Sequence, residues 1–496
     1  MTEQSPVLPS AEDLLAAYAG VNLIGNARLS AAATLTVENP ATGKALAEAA
    51  ASRAPEVDAA VTAARAAGPG WAALPARQRG RKLADAARAL APLAEPIARL
   101  LAMETGKAIR TECRGEVATA TDILDFHAGL GSELKGETVP YHPRMMTLTT
   151  REPLGVVAAI LPWNVPLVLM MLKIAPALVA GNTVVVKAAE EAPFATFAMA
   201  EVLMRHLPDG VLNVVCGDGP DCGAVLTAHP DVAKITFTGS EEVGGIVYRA
   251  GAEKIIPVSL ELGGKSPMIV CADADLEKAV AGAISGMRFT RQGQSCTASS
   301  RIYVHDSLFD AFLAKLTAAL DALKIGDPLD EATDIGTIVS PRQAAIVRDY
   351  VAKAEATPGA RVLRCGALPD DTALAADLFE RPTLLLDLPE DHPCLREEIF
   401  GPVAAIQRWD DYDDVIARAN DSDYGLAATV WTASLSTALD ATARLDAGYV
   451  QVNQNLTIQP NVSYGGFGRS GLGKEASLEA MLEHFTRKKT IVLNFD

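Results

Sequence analysis

One cysteine of the chain stands in Gln292-Gly293-Gln294-Ser295-Cys296-Thr297. Its neighbours are small and polar, so the thiol stays reachable, and a reachable thiol near backbone donors can act as a nucleophile. Read by itself, a lone cysteine in a long chain is more often structural. Glu261 ends an apolar run in Ser259-Leu260-Glu261-Leu262-Gly263-Gly264-Lys265-Ser266-Pro267. A carboxylate at a strand end, followed by two glycines that admit a close neighbour, lies where α/β sheets do their chemistry. An exposed strand-end glutamate is the plainer alternative. Asn164, in Pro162-Trp163-Asn164-Val165-Pro166, lies in a turn stiffened by two prolines. Its amide could donate to a developing oxyanion or cap a helix. Lys187 and Glu190 close another apolar run, where an acidic residue can accept from the two hydroxyls of a ribose. Gly239-Ser240-Glu241-Glu242-Val243-Gly244 opens a helical stretch whose free N–H groups could hold a pyrophosphate. Gly217-Asp218-Gly219-Pro220-Asp221-Cys222-Gly223 has the spacing G-x-G-x-x-x-G rather than the standard fingerprint, and an ordinary turn is the simpler reading of either glycine loop alone.

The elements that must position these residues follow from apolar periodicity. Residues 154–161, 183–187, 211–215, 234–237 and 256–260 read as strands, and 167–180, 195–207, 221–228 and 242–250 as helices between them. Short, mostly apolar strands alternating with helices predict a doubly wound parallel sheet, with ligands outside the carboxyl ends of its strands. Asn164, Glu190, Gly239 and Glu261 all fall at such ends. A second α/β region begins near Gly263, with strands at 267–270 and 302–304 and helices at 276–287 and 308–323, and runs to about Asn461. The first ~130 residues read as Ala-rich and largely helical, with Pro92 and Pro96 breaking the amphipathic stretch 83–100. Two outlying strand-like runs, 145–150 and 490–495, could pair as a small protruding sheet whose edge invites a partner subunit.

Across 496 residues the formal net charge is −17. So acidic a surface repels phosphate backbones and anionic lipid, which argues against nucleic-acid and membrane partners and for a small-molecule ligand. The basic run Arg487-Lys488-Lys489 is the one visible exception. Seven cysteines without a C-x-x-C pair suggest reduced thiols, with no disulfide framework and no zinc site. No basic and apolar secretory signal opens the chain, so a cytoplasmic location is expected. The longest apolar stretch, 166–186, carries Lys173, Pro176, Gly181 and Asn182 and does not read as a membrane span.

Taken in order, the motifs at 162–166, 187–190, 237–240, 261–267 and 293–296 resemble the aldehyde dehydrogenase superfamily. So do Glu397-Glu398-Ile399-Phe400-Gly401-Pro402-Val403 and Tyr464-Gly465-Gly466-Phe467-Gly468-Arg469-Ser470-Gly471. The resemblance covers the chain from about residue 35 to its end. It implies a Rossmann-like NAD-binding domain over 1–129 and 153–262, a catalytic domain over 263–463, and oligomerisation strands at 130–152 and 480–496. It also implies a homodimer or homotetramer. Cys296 then resembles the nucleophile, Glu261 the general base, and Asn164 with the Cys296 N–H the oxyanion hole. Lys173 and Glu475 match positions of a candidate proton relay. Cofactor contacts are implied at Ile160, Pro162, Trp163, Lys187, Glu190, Gly219, Gly223, Phe237, Gly239, Ser240, Val243, Leu262, Gln343, Glu398 and Phe400. The substrate funnel is implied at Val165, Leu172, Thr290, Ser295, Thr297, Ile458 and Tyr464. No metal is implied.

The reaction expected is oxidation of an aldehyde to its acid with NAD, NADP serving less well, through a cysteine thiohemiacetal and a thioester that Glu-activated water hydrolyses. Two rivals are a CoA-acylating semialdehyde dehydrogenase, against which Glu261 argues, and a non-catalytic structural relative, against which the intact trio of Cys296, Glu261 and Asn164 argues. Departures are local: Ala188 replaces a frequent Pro, Tyr464 a frequent Phe, Ser463 a frequent Pro, and Val165 and Leu172 replace bulky aromatics. Val165 and Leu172 predict a wider or more aliphatic funnel. Arg291 could meet an anionic substrate tail, although a salt-bridged loop residue is the expected reading.

Overall fold

The computed structural model describes residues 8–374, 376–455 and 458–495. Five parallel strands form the centre of the first sheet, in the order Leu212–Cys216, Thr183–Ala188, Val156–Ile160, Val232–Thr238 and Val258–Glu261. Each except Val258–Glu261 is followed by a helix, as the alternating pattern requires. The helix Pro166–Ala180 is buried along its whole length, so the apolar stretch that includes Lys173 is the core of this domain. No helix among the described residues is long and apolar enough to cross a membrane.

The second sheet has seven strands, in the order Arg361–Arg364, Thr383–Leu386, Val403–Trp409, Arg301–His305, Pro267–Val270, Ala427–Trp431 and Tyr449–Val452. All its pairings are parallel except the first. The chain then returns: Gly471–Leu472 adds antiparallel to the first sheet, setting Gly471 opposite Glu261. This return carries the stretch 464–475 across the mouth between the sheets.

Met145–Pro153 pairs antiparallel with Thr486–Asn494 over nine residue pairs, and Thr138–Val139 adds a third strand. The two outlying runs therefore do meet. The amino-terminal region departs from its expected helical character. Helices Ala54–Ala73, Ala76–Leu90, Ala94–Thr105 and Arg114–Gly129 are present, with the break at Pro92. Before them come the strands Val21–Ile24, Ala27–Ser30, Thr34–Asn39 and Lys44–Ala50. Gly25 and Asn26, both at positive φ (57° and 62°), form the two-residue turn of the first hairpin. That turn chemistry is a strand signal which the alanine content masked.

Candidate active site

Gln292 and Gly293 both take positive φ (57° and 62°), so the chain reverses sharply just before Cys296. The reversal sets the thiol at the end of a tight loop, and Ser295 Oγ and Thr297 Oγ1 lie 3.2 Å apart on either side of it. Of the seven free cysteines, Cys296 alone is not fully buried. Its surroundings still push the thiol up to about 11. Desolvation is the main cause, the Tyr464 hydroxyl and Arg291 oppose it, and the charges of Glu398 and Glu261 add to it.

Glu261 terminates its strand and is buried, and its Oε2 finds no hydrogen-bond partner among the described residues. Burial, with the charge of Glu475 beside it, holds the carboxyl well above the usual range, and Lys173 and Lys474 act the other way. The two glycines after it admit close neighbours. A methyl on Gly263 would lie 2.2 Å from Glu398 Oε2, and one on Gly264 would lie 2.6 Å from the Cys296 carbonyl. The strand end carrying Glu261, the Cys296 loop and the Glu398 turn therefore converge on one point, where Gly264 N–H donates to Glu398 Oε1 (3.1 Å).

Asn164 is buried and donates from Nδ2 to the Gln294 carbonyl, 3.2 Å away. One amide hydrogen is thereby fixed beside the cysteine loop and the other is left over. Among the described residues the Cys296 backbone N–H has no acceptor. Two donors are thus available next to the sulfur. A support for Asn164 that the sequence reading did not include is a buried ion pair between Lys107 and Glu116. Lys107 Nζ donates to the Asn164 carbonyl (2.7 Å), and Glu116 Oε1 accepts from Leu167 N–H (3.0 Å) at the start of the helix Pro166–Ala180. These residues sit nine apart in a helical stretch with nothing distinctive about their spacing.

Lys173 is fully buried and pairs with Glu475 at 2.7 Å, with Thr236 Oγ1 within 3.4 Å of Lys173 Nζ and 3.3 Å of Glu475 Oε1. Glu475 reaches this position through a β-bridge to Tyr464. Arg291 forms a buried ion pair with Glu112 at 2.6 Å, and Thr290 donates to the same carboxylate. Arg291 is therefore engaged within the protein, as the salt-bridged reading expects. Val165 and Ile458 are partly buried and pack, like Cys296, against the largest hydrophobic cluster, in which Leu172 is buried. Ser295 and Thr297 are largely buried beside the sulfur.

At the carboxyl end of the first sheet, Lys187 Nζ donates to Glu190 Oε2 at 2.9 Å. Burial works against the Lys187 charge, but Glu190 outweighs it and raises the ammonium's pKa. The Glu190 side chain keeps 38% of its surface exposed, so its carboxylate is oriented yet still open to a donor. Ser240 caps the helix Glu241–Lys254 through Val243 N–H (3.4 Å). The Glu241 and Glu242 N–H groups have no acceptor among the described residues, as at any helix start awaiting an anion. Gly239 N–H donates to the Glu261 carbonyl (3.2 Å) and Phe237 packs beneath that glycine. Val243 is exposed on the first turn of the helix, whereas Ile160 and Leu262 are buried against the sheet. Gly223 lies against the Lys187 stem, and Gly219 has open space around it. Glu398 is a half-buried acceptor whose pKa is pushed up to about 7 by desolvation. Phe400, at positive φ (55°), stands edge-on to Trp163 with ring centroids 5.4 Å apart. The Gln343 amide donates to the Ile399 and Phe400 carbonyls, both at 3.1 Å, and so holds that turn in place. Between Ser295, Gly264 and the Glu398–Phe400 turn lies a narrow cleft. Acceptors at both ends and a free helix start suit an elongated dinucleotide with two riboses and a central pyrophosphate.

Residues 28–491 match the model of the aldehyde dehydrogenase family. The chain belongs to that family. It is 40% identical over 468 residues to the hydroxyisobutyraldehyde dehydrogenase of Mycolicibacterium austroafricanum, covering 94% of this chain and 91% of that one. Its fold superposes with a TM-score of 0.92 on an NADP-dependent enzyme of E. coli, at 37% identity and covering 96% and 98% of the two chains. An aldehyde dehydrogenase of Bacillus cereus in complex with NAD+ superposes at 0.93, with 34% identity and 99% of each chain covered. As an aldehyde dehydrogenase the protein is an oxidoreductase that converts aldehydes to carboxylic acids with a nicotinamide dinucleotide.

Proposed function

We propose that Cys296 is the nucleophile, that Glu261 is the base that delivers the hydrolytic water, and that NAD is preferred over NADP. The Cys296 thiolate adds to the aldehyde carbon, and the oxygen of the resulting thiohemiacetal accepts from Asn164 Nδ2 and the Cys296 N–H. Both donors are fixed before substrate arrives, so little reorganisation opposes the charge as it forms. When bound, the nicotinamide supplies the hydride acceptor that turns this adduct into a thioester. Glu261 then takes a proton from water as the water attacks the acyl carbon, and the thiolate departs as the acid forms. Lys173 and Glu475, whose charges act on the Glu261 carboxyl, would take that proton on. Lys187 and Glu190 would hold the adenine ribose, Ser240 with the open start of its helix the pyrophosphate, and Glu398 the nicotinamide ribose, with Phe400 and Trp163 beside it.

The observation that carries this reading is the convergence of three groups. Gly264 lies against the Cys296 carbonyl, Asn164 is bonded to the residue two before the cysteine, and the Glu261 carboxyl is buried without a partner for Oε2. A CoA-acylating enzyme has no need of a base in that position. The short aliphatic side chains Val165, Leu172 and Ile458, together with the likeness to a hydroxyisobutyraldehyde dehydrogenase, favour a short branched aldehyde as substrate. The strand pair Met145–Pro153 and Thr486–Asn494 is the proposed subunit contact of a cytoplasmic homodimer or homotetramer, whose domains follow the boundaries given above. The test is product analysis with aliphatic, aromatic and ω-carboxy aldehydes, with and without CoA. The free acid is expected in both conditions, and an acyl-CoA product would overturn the hydrolytic assignment.

Cofactor preference has its own test. A 2′-phosphate would bring negative charge against Glu190 and remove the hydroxyl donor that Glu190 accepts from. Glu190 is therefore expected to favour NAD over NADP by at least about tenfold in kcat/KM, or ~1.4 kcal/mol. Glu190→Ser should narrow the gap by weakening NAD and admitting NADP. Equal use of both cofactors by the wild type, or an undiminished preference in the variant, would remove Glu190 as the selector.

A further inference from the structure

Tyr464 is a buried phenol whose hydroxyl faces the cysteine. The hydroxyl lies 3.7 Å from Cys296 Sγ, within the longer hydrogen-bond range of sulfur. Among the described residues each is the other's side-chain hydrogen-bond partner. Tyr464 is 4% exposed, and a buried phenol ordinarily finds a partner; here that partner is the thiol.

The phenol is tightly held. Its backbone N–H donates to the Glu475 carbonyl (3.1 Å) and its carbonyl accepts from Glu475 N–H (2.7 Å). Its ring stands edge-on to Tyr449 with centroids 5.8 Å apart, and the Tyr449 hydroxyl accepts from Gln451 Nε2 at 3.3 Å. The following residue, Gly465, takes a φ of 147°, and a methyl there would sit 2.6 Å from Glu261 Oε1. The two-residue step Tyr464-Gly465 therefore runs with its side chain on the sulfur and its backbone on the Glu261 carboxyl.

We propose that Tyr464 is a catalytic residue of this enzyme, its hydroxyl donating a hydrogen bond to the Cys296 thiolate and so fixing the sulfur's position and enlarging its ionised fraction. This rests on the reading of Cys296 as the nucleophile. The charged groups around the sulfur leave that task open. Glu261, from the Val258–Glu261 strand, and Glu398, from the turn after Arg396, both disfavour a second negative charge. Arg291 favours it, but its guanidinium is bound to Glu112. Arg288 also feels the cysteine's charge, from the end of the helix Leu276–Met287. Burial raises the Tyr464 hydroxyl well above its ordinary value and the neighbouring Cys296 charge raises it further, so the phenol keeps its proton and remains a neutral donor. A donor to sulfur stabilises the thiolate more than the thiol. For a thiol titrating near 11, losing one unit of pKa costs nucleophilicity only by about threefold while multiplying the thiolate tenfold at neutral pH. The net gain is about threefold.

Tyr464→Phe keeps the ring and removes only the donor. The measurement is the rate at which iodoacetamide alkylates Cys296 between about pH 6 and 10, resolved at that residue by mass spectrometry, in which the thiolate displaces iodide. Because no turnover is involved, the result is independent of whether Cys296 is the catalytic nucleophile. That question is decided separately by activity of Cys296→Ala. Across this range, which lies below the wild-type midpoint, labelling is expected to be about threefold slower in the variant, with NAD binding unchanged. Turnover should fall by a similar factor. Carried above that range, titration of the thiolate's ultraviolet absorbance should place the midpoint about one pH unit higher in the variant. Superimposable profiles for wild type and variant would overturn the proposal. So would a turnover loss in Tyr464→Phe with Cys296 labelling unslowed, which is what a purely structural role would give.

Discussion

At the residue scale, the placement of the candidate site residues was legible wherever a motif sat at a strand end. Glu261, Asn164 and Glu190 announced themselves by falling just beyond apolar runs, and the Gly263-Gly264 pair by its lack of side chains. The structure gives that pair a cause, since added methyls would run into Glu398 and the Cys296 carbonyl. Lys107 and Glu116 were not legible, because a buried ion pair depends on long-range packing and leaves no local spacing signal. Nor could Glu112 be chosen as the partner of Arg291 from two positions so distant in sequence. The strongest residue-scale expectation concerns Glu261. Burial raises its carboxyl, so the base form is scarce at low pH and gains as pH rises through that raised value. Steady-state turnover should therefore climb with pH. Glu261→Gln should slow it by about 10²–10⁴-fold and flatten the climb, since general-base catalysis contributes about that much. Near-normal rates in the variant between about pH 6 and 9 would refute the assignment.

At the scale of elements, strand and helix order was readable because each parallel strand is a short apolar run and each crossover is helical. The helix Leu276–Met287 and the strand Pro267–Val270 match their expected bounds. The amino-terminal strands were missed for a physical reason. Ala45, Ala47, Ala49 and Ala50 occupy a strand, Lys44–Ala50, by pairing with Thr34–Asn39, and alanine's own preference is for helix. The turn around Glu398 is an element whose conformation is imposed from outside: Phe400 sits at positive φ while Gln343, from the helix Pro341–Glu355, grips two of its carbonyls. Gln343→Leu would leave both carbonyls without that donor. The KM for NAD is expected to rise several-fold with kcat and alkylation of Cys296 little changed, as determined by cofactor titration at saturating aldehyde. An unaltered KM would show that the turn is held by its other contacts.

At the scale of the whole molecule, the return strand Gly471–Leu472 ties the end of the second region to the edge of the first sheet. Closing the site therefore depends on contacts between residues more than two hundred apart in sequence, such as Lys173 with Glu475. That closure could not be read from local pattern, although the pairing of the two outlying runs was anticipated. Val492, Leu493 and Phe495 are exposed on the strand Thr486–Asn494 or immediately after it. Such an apolar edge suits a second copy of the chain. Leu493→Lys combined with Phe495→Lys should lower the mass in light scattering, with far-ultraviolet circular dichroism preserved. An unchanged mass would locate the subunit contact elsewhere. The central claim is covalent catalysis at Cys296 with hydrolytic release, and intact-protein mass spectrometry of Glu261→Gln mixed with NAD and an aldehyde tests it most directly. Accumulation of one acyl group per chain, mapped to Cys296 and absent from Glu261→Gln/Cys296→Ala, is the expected result. Full turnover with no adduct, or an acyl group on any other residue, would contradict it.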